Sequence, residues 1–111
     1  NQFRVKTVAE TDLTTDDHDA RQKAAEGLAV KKARESIVKN FVAIRVKQSA
    51  NTSAGAYAVI AISVEKEFRD IIEGGKVIRR DFRGDDRICT VVYQIEKSGL
   101  KKMVEKDPQK K

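Results

Sequence analysis

The stretch NFVAIRVKQS, residues 40–49, decides the fold. Read at a period of two, Val42, Ile44 and Val46 fall on one face, with Arg45 and Lys47 on the other. That reading predicts a half-exposed strand over 42–47, and it stops the preceding helix near Asn40.

On the N-terminal side, Asp16 to Phe41 contains no proline, a single glycine (Gly27) and many alanines. Ala24, Leu28, Ala33, Ile37 and Phe41 recur at four- to five-residue steps, the mark of an amphipathic helix. About 26 residues at 1.5 Å each give a rod of about 39 Å, longer than a small sheet is wide. One helix is therefore expected to cross a whole sheet face. Before it, TDLTTDD (11–17) supplies turn and cap residues. FRVKTVAE (3–10) alternates, with Phe3, Val5 and Thr7 on one side, and reads as a first strand.

On the C-terminal side, ANTSAG (50–55) reads as a turn. In AYAVIAISVEKEFRDIIEGG (56–75), Val59, Ile60 and Ile62 fit the start of a strand, whereas Val64, Phe68, Ile71 and Ile72 have helical spacing. The expectation is a helix at least from Ser63 to Glu73, closed by Gly74 or Gly75 in the left-handed conformation. KVIRRDFR (76–83) and RICTVVYQIE (87–96) flank a turn at Gly84–Asp86 and form a hairpin. Cys89, Val91, Tyr93 and Ile95 mark its core side. From Lys97 a short helix or tether fades into a charged tail at 105–111.

The order β-α-β-α-β-β belongs to the α+β class: a mostly antiparallel sheet of about four strands, packed under one long and one shorter helix. Residues 1–104 form a single domain, since 111 residues are too few for two cores. No run of 18 apolar residues spans a bilayer. The first residue is Asn1, so the chain is expected to be a mature or trimmed form. The one cysteine, Cys89, excludes an internal disulfide and a cysteine zinc cluster. A net charge of +6 favours acidic partners such as nucleic acid, anionic lipid or acidic polysaccharide. The 23 basic and 17 acidic residues are mostly interleaved, which equally describes a solubilising surface.

His18, the one histidine, lies among Asp12, Asp16, Asp17 and Asp19. A metal centre needs these groups to converge, but positions one and two apart on a helix point in different directions. The favoured reading is a helix start, with Thr14 or Thr15 as the cap and the aspartates offsetting the N-terminal dipole. Lys31, Lys32 and Arg34 form one basic set on the long helix, and Arg79, Arg80, Arg83 and Arg87 a second on the hairpin. These seven are the candidate interaction surface. Arg79 and Arg80 point to opposite sides of a strand, and Asp81, Asp85 and Asp86 sit among the arginines. The Gly74–Gly75 pair lacks the spacing of a phosphate loop. Cys89 reads as a buried small hydrophobe rather than a nucleophile. No catalytic, metal or cofactor residue is predicted.

The succession of DARQKAAEGLAVKKARESIV, NFVAIRVKQS, IIEGGKVI and CTVVYQIEKSGL resembles the bacterial twenty-kilodalton lipoprotein family, and the related domains of flagellar outer-membrane protein P and the N-terminus of flagellar assembly protein T. The resemblance covers roughly residues 5 to 104 and rests on order and spacing, with no catalytic motif in it. It implies a noncatalytic, exported domain of the periplasm or outer membrane. Such a domain acts by assembly with envelope or flagellar proteins or with itself, often beside an N-terminal lipid anchor. The alternative is a small basic nucleic-acid-binding domain. Its usual exposed strand aromatics are missing, since aromatics make up 5% of the chain and Tyr93 falls on the core face.

Overall fold

The computed structural model describes residues 2–48 and 53–105. The elements in chain order are β1 (Gln2–Glu10), α1 (His18–Gln48), α2 (Ala54–Glu73), β2 (Lys76–Arg83), β3 (Ile88–Glu96) and α3 (Leu100–Val104). The α+β class stands, but the sheet has three strands, in the order β1-β3-β2 and antiparallel throughout. The fourth strand expected over 42–47 is the C-terminal part of α1.

The reason lies in what surrounds that segment. Phe41, Val42 and Arg45 are buried, and Ile44 and Val46 are half-buried against the same core. A helix enclosed on most sides carries apolar residues on most sides, and a short stretch of it looks alternating. Asn40, expected near the end of the helix, lies inside it and donates from Nδ2 to the Ser36 carbonyl one turn back, at 2.8 Å. The whole of α1 has 31 residues, a rod of about 46 Å. It runs along most of the 54 Å long axis of the molecule.

Seven of the eight buried residues of α1 follow a four-residue step, Arg21, Ala25, Ala29, Ala33, Ile37, Phe41 and Arg45, with Val42 beside the row. Ala24 and Leu28, expected on the core side, lie one position off this row, and Leu28 is exposed. Four residues at 3.6 per turn overshoot a full turn by about 40°, so the contact line winds round the helix as it advances. Early in the helix it meets the sheet, where Ala25 and Ala29 pack with Ala9, Cys89 and Val91. Thr7 clamps this seat by donating from Oγ1 to the Ala29 carbonyl at 2.7 Å. Later it meets α2, whose own buried row, Ile60, Val64, Phe68 and Ile72, also advances by four. Edge-to-face contacts of Phe3 with Phe41 (5.2 Å) and of Phe41 with Phe68 (5.0 Å) tie β1, α1 and α2 together.

At the end of the row sits a charge. Arg45, 1% exposed, pairs with Glu67 of α2 at 2.8 Å and stacks over the Phe68 ring. It also donates to the carbonyls of Val104 and Met103 in the last turn of α3. The alternation that placed Arg45 on a solvent face is thus overturned: this side chain fastens α3 to both long helices.

The segment of α2 that was ambiguous between strand and helix is helix from Ala54, capped by Ser53, whose Oγ accepts from the Ala56 N–H at 3.2 Å. Part of the expected turn at 50–55 lies outside the described residues, as does most of the tail at 105–111. At the other end of α2, Gly74 has φ −81° and is not left-handed. Glycine is needed one residue later for space: a Cβ on Gly75 comes within 2.5 Å of the Tyr93 ring. That ring is buried, and its hydroxyl donates to the Ile72 carbonyl. The hairpin follows expectation. Cys89, Val91, Tyr93 and Ile95 all face the core, and the turn at Gly84–Asp86 has positive φ at all three residues.

Two substitutions test this packing. Arg45→Leu removes the clamp, with its pair to Glu67 and its two hydrogen bonds to α3 carbonyls. A loss of about 2–3 kcal/mol is expected in urea unfolding, with Arg45→Lys intermediate. Gly75→Ala forces Tyr93 aside, with an expected loss of about 1–3 kcal/mol by the same measurement.

Candidate interaction surfaces

The His18 corner is built where α1 starts beside the β2–β3 turn. Asp17 caps the helix, with its Oδ1 accepting from the backbone N–H groups of Asp19 (3.0 Å) and Ala20 (3.4 Å). The cap was expected at Thr14 or Thr15; Thr15 sits two residues before Asp17, and its Oγ1 accepts from the Asp17 N–H at 3.3 Å. Arg21 reaches across with its Nε on the Asp85 carbonyl (2.9 Å) and a terminal nitrogen on the Thr15 carbonyl (2.6 Å). The turn residues Asp85 and Asp86, at φ 58° and 67°, occupy a region that costs non-glycine residues energy and that aspartate tolerates better than most. Arg21 therefore holds a strained turn in place.

His18 Nδ1 lies 2.9 Å from Asp86 Oδ2 and 2.9 Å from an Arg21 terminal nitrogen. A protonated Nδ1 donates to Asp86, whereas an unprotonated one accepts from Arg21, so the proton chooses the partner. The bond to His18, then one to Gln22, holds the Asp86 carboxyl below the usual carboxylate range. Among the described residues no three of His, Cys, Asp and Glu are grouped so as to hold a metal ion. The corner is a joint between helix and hairpin.

The seven basic residues do not form one surface. Lys31 and Lys32 are exposed on α1, and Lys32 Nζ donates to the Val8 carbonyl at 3.2 Å. Arg34 lies over the Tyr93 ring and donates to its hydroxyl at 3.3 Å. In β2 a bulge between Val77 and Arg79 resets the alternation, so that Arg80 pairs with inward-facing Val91 and Arg79 with outward-facing Val92. Arg80 accordingly meets Glu26 of α1 at 2.9 Å. Arg79 and Arg83 stay on the open face of the sheet, and Arg87 is exposed beside the turn.

Residues not singled out from the sequence join that open face. β3 buries Cys89, Val91, Tyr93 and Ile95, so Thr90, Val92 and Gln94 face away from the helices. Their partners are Val8, Lys6 and Arg4 on β1, and Asp81, Arg79 and Lys76 on β2. The period-two pattern of β1 contained this signal, but the partner strands were not assignable from it.

Two concavities lie elsewhere. A groove of about 480 Å³ between α1 and α2 is lined by Arg34, Lys39 and Arg69 against Glu35, Glu65 and Glu73, and so offers no field of one sign. A cleft of about 510 Å³ between β1, α1 and α3 is walled by Phe3, Phe41, Ile44, Leu100 and Val104. Cys89 is fully buried, and burial pushes its thiol up, away from the nucleophilic thiolate.

A depressed native carboxyl contributes stability above its unfolded value, and the contribution is lost as pH falls through the lowered native value. Asp86→Asn keeps the turn conformation but removes that ionisation. Acid unfolding of the variant is expected to lose the part of its pH dependence that lies below about pH 4, checked by circular dichroism against pH.

Comparison with protein-family models, with curated proteins and with solved structures found no match.

Proposed function

We propose that this chain is a noncatalytic assembly domain of the bacterial cell envelope that acts by docking α2 against a second copy of itself. The observation that carries the reading is the outer side of α2. Gly55, Ala58, Val59 and Ile62 share one helical face by their spacing, opposite the buried row of Ile60 and Val64. Val59 is 67% exposed and Ile62 61%. Tyr57, 52% exposed, stands further round the helix. The first half of α2 is thus apolar on both sides, although α1 covers only one. Beyond Ile62 the same outer face turns charged, with Glu65, Lys66, Arg69 and Glu73.

Such a strip suits a two-fold contact in which each α2 lays its apolar half on the other. Gly55 and Ala58 let the helices approach, and Glu65 and Lys66 stand at the rim. Its apolar area is worth about 25 cal/mol per Å² once removed from water. The noncatalytic part is supported by a sealed, protonated Cys89 and by a His18 engaged in a structural joint. The envelope setting, periplasmic or outer-membrane and in some relatives flagellar, rests on the family resemblance.

Sedimentation of the domain over a concentration series tests this reading. The wild type is expected to self-associate, and Val59→Glu with Ile62→Glu to sediment as a monomer. Because both positions are exposed, the stability of the double variant should stay within about 1 kcal/mol of wild type. A wild type that stays monomeric at millimolar concentration overturns the reading.

A further inference from the structure

The open face of the sheet gathers cations from the two strands that flank β3. Across the strands, Arg4 stands opposite Gln94 and Gln94 opposite Lys76, while Lys6 stands opposite Val92 and Val92 opposite Arg79. With strands about 4.8 Å apart and same-face residues about 7 Å apart, the four cations mark the corners of a rectangle of about 10 by 7 Å. All four are exposed, and none has an ion-pair partner among the described residues. Arg4 donates from Nε to Gln94 Oε1 at 2.6 Å, which draws its guanidinium over the middle strand. By contrast, Arg21, Arg34, Arg45 and Arg80 are each engaged by a carbonyl, a hydroxyl or a carboxylate of the domain.

Asp81 and Glu96 lie on the same face beside them, but with Arg4, Lys6, Lys76, Arg79 and Arg83 the face keeps an excess of positive charge, and an external anion relieves the remaining repulsion among the four. Beside them two aliphatic side chains are exposed, Val8 (46%) and Ile78 at the bulge (45%). The outward residues of the three strands include no aromatic ring, so the face has no platform on which to stack bases. Among the described residues no helix is long and apolar enough to cross a membrane.

We propose that this sheet face docks on the phospholipid surface of an anionic membrane. Arg4, Lys6, Lys76 and Arg79 contact headgroup phosphates, and Val8 and Ile78 rest at the headgroup boundary. The proposal stands apart from the assembly reading, which uses α2.

Cosedimentation of the domain with vesicles tests it, comparing pure phosphatidylcholine with vesicles containing 30 mol% phosphatidylglycerol. The expected result is binding to the anionic vesicles alone, weakening steeply as salt rises. Arg4, Lys6, Lys76 and Arg79 all changed to Gln should lower the affinity at least about tenfold. A variant carrying only Lys6→Gln and Arg79→Gln should lower it by less, and serves if the fourfold variant fails to fold. Lys23, Lys31, Lys39 and Lys47 of α1 changed to Gln remove the same charge and should leave binding nearly intact. The proposal is overturned if the wild type ignores anionic vesicles or if the α1 variant loses as much binding as the sheet variant. It is equally overturned if random duplex DNA at equal phosphate concentration displaces the vesicles, which assigns the face to nucleic acid.

Discussion

Everything in this fold depends on how closely α1 can approach the sheet. Ala25, Ala29 and Ala33 have the smallest apolar side chains available, and all three are completely buried. Small residues bring the helix backbone near enough for Thr7 to reach a main-chain carbonyl of α1, a contact that larger side chains prevent. Packing at this density leaves little room to slide, since shifting the helix by one residue replaces an alanine with Glu26 or Val30. The winding of the four-residue row then does the rest. It turns the helix's contact side from the sheet towards α2 and finally towards α3, so that a single rod organises every other element.

That winding also explains why the sequence was misleading where it mattered most. The strands were legible because sheet alternation is local: one side of β3 is core, the other is not, and Cys89 to Ile95 say so directly. In α1 the core side rotates, so no fixed face stays apolar along its length, and Ala24 and Leu28 fit a straight stripe as well as Ala25 and Ala29 fit the wound one. At 42–47 the core reaches round most of the helix, leaving Ala43 and Lys47 exposed, and Val42, Ile44 and Val46 imitate a strand. Nothing in the composition of that segment marks Arg45 as buried. Its partners lie on α2 and α3, and only the tertiary arrangement supplies them.

The surface was legible in kind but not in grouping. Arg79 and Arg80 were separable by strand geometry alone, whereas the bulge that decides which of them faces inward was not. The basic cluster on the open face draws Arg4 and Lys6 from one end of the chain and Lys76 and Arg79 from the far side of both long helices. Pairing of strands so distant in sequence leaves no local trace. His18 was read as part of a helix start, and it is, but its bond to Asp86 joins residues that only the folded hairpin brings together.

The position of β3 has a further consequence, for the order of events as the polypeptide is made. Of the three described strands the middle one is the last to leave the ribosome, and β1 and β2 pair with it and not with each other. Until residues beyond Ile88 emerge there is no sheet, and the alanines of α1 lack the Cys89 and Val91 half of their seat. A nascent chain must therefore keep two long helices and an unpaired β1 from other partners until β3 has been synthesised. Then the domain folds as one unit through contacts that join residues 2–10 to residues 88–96.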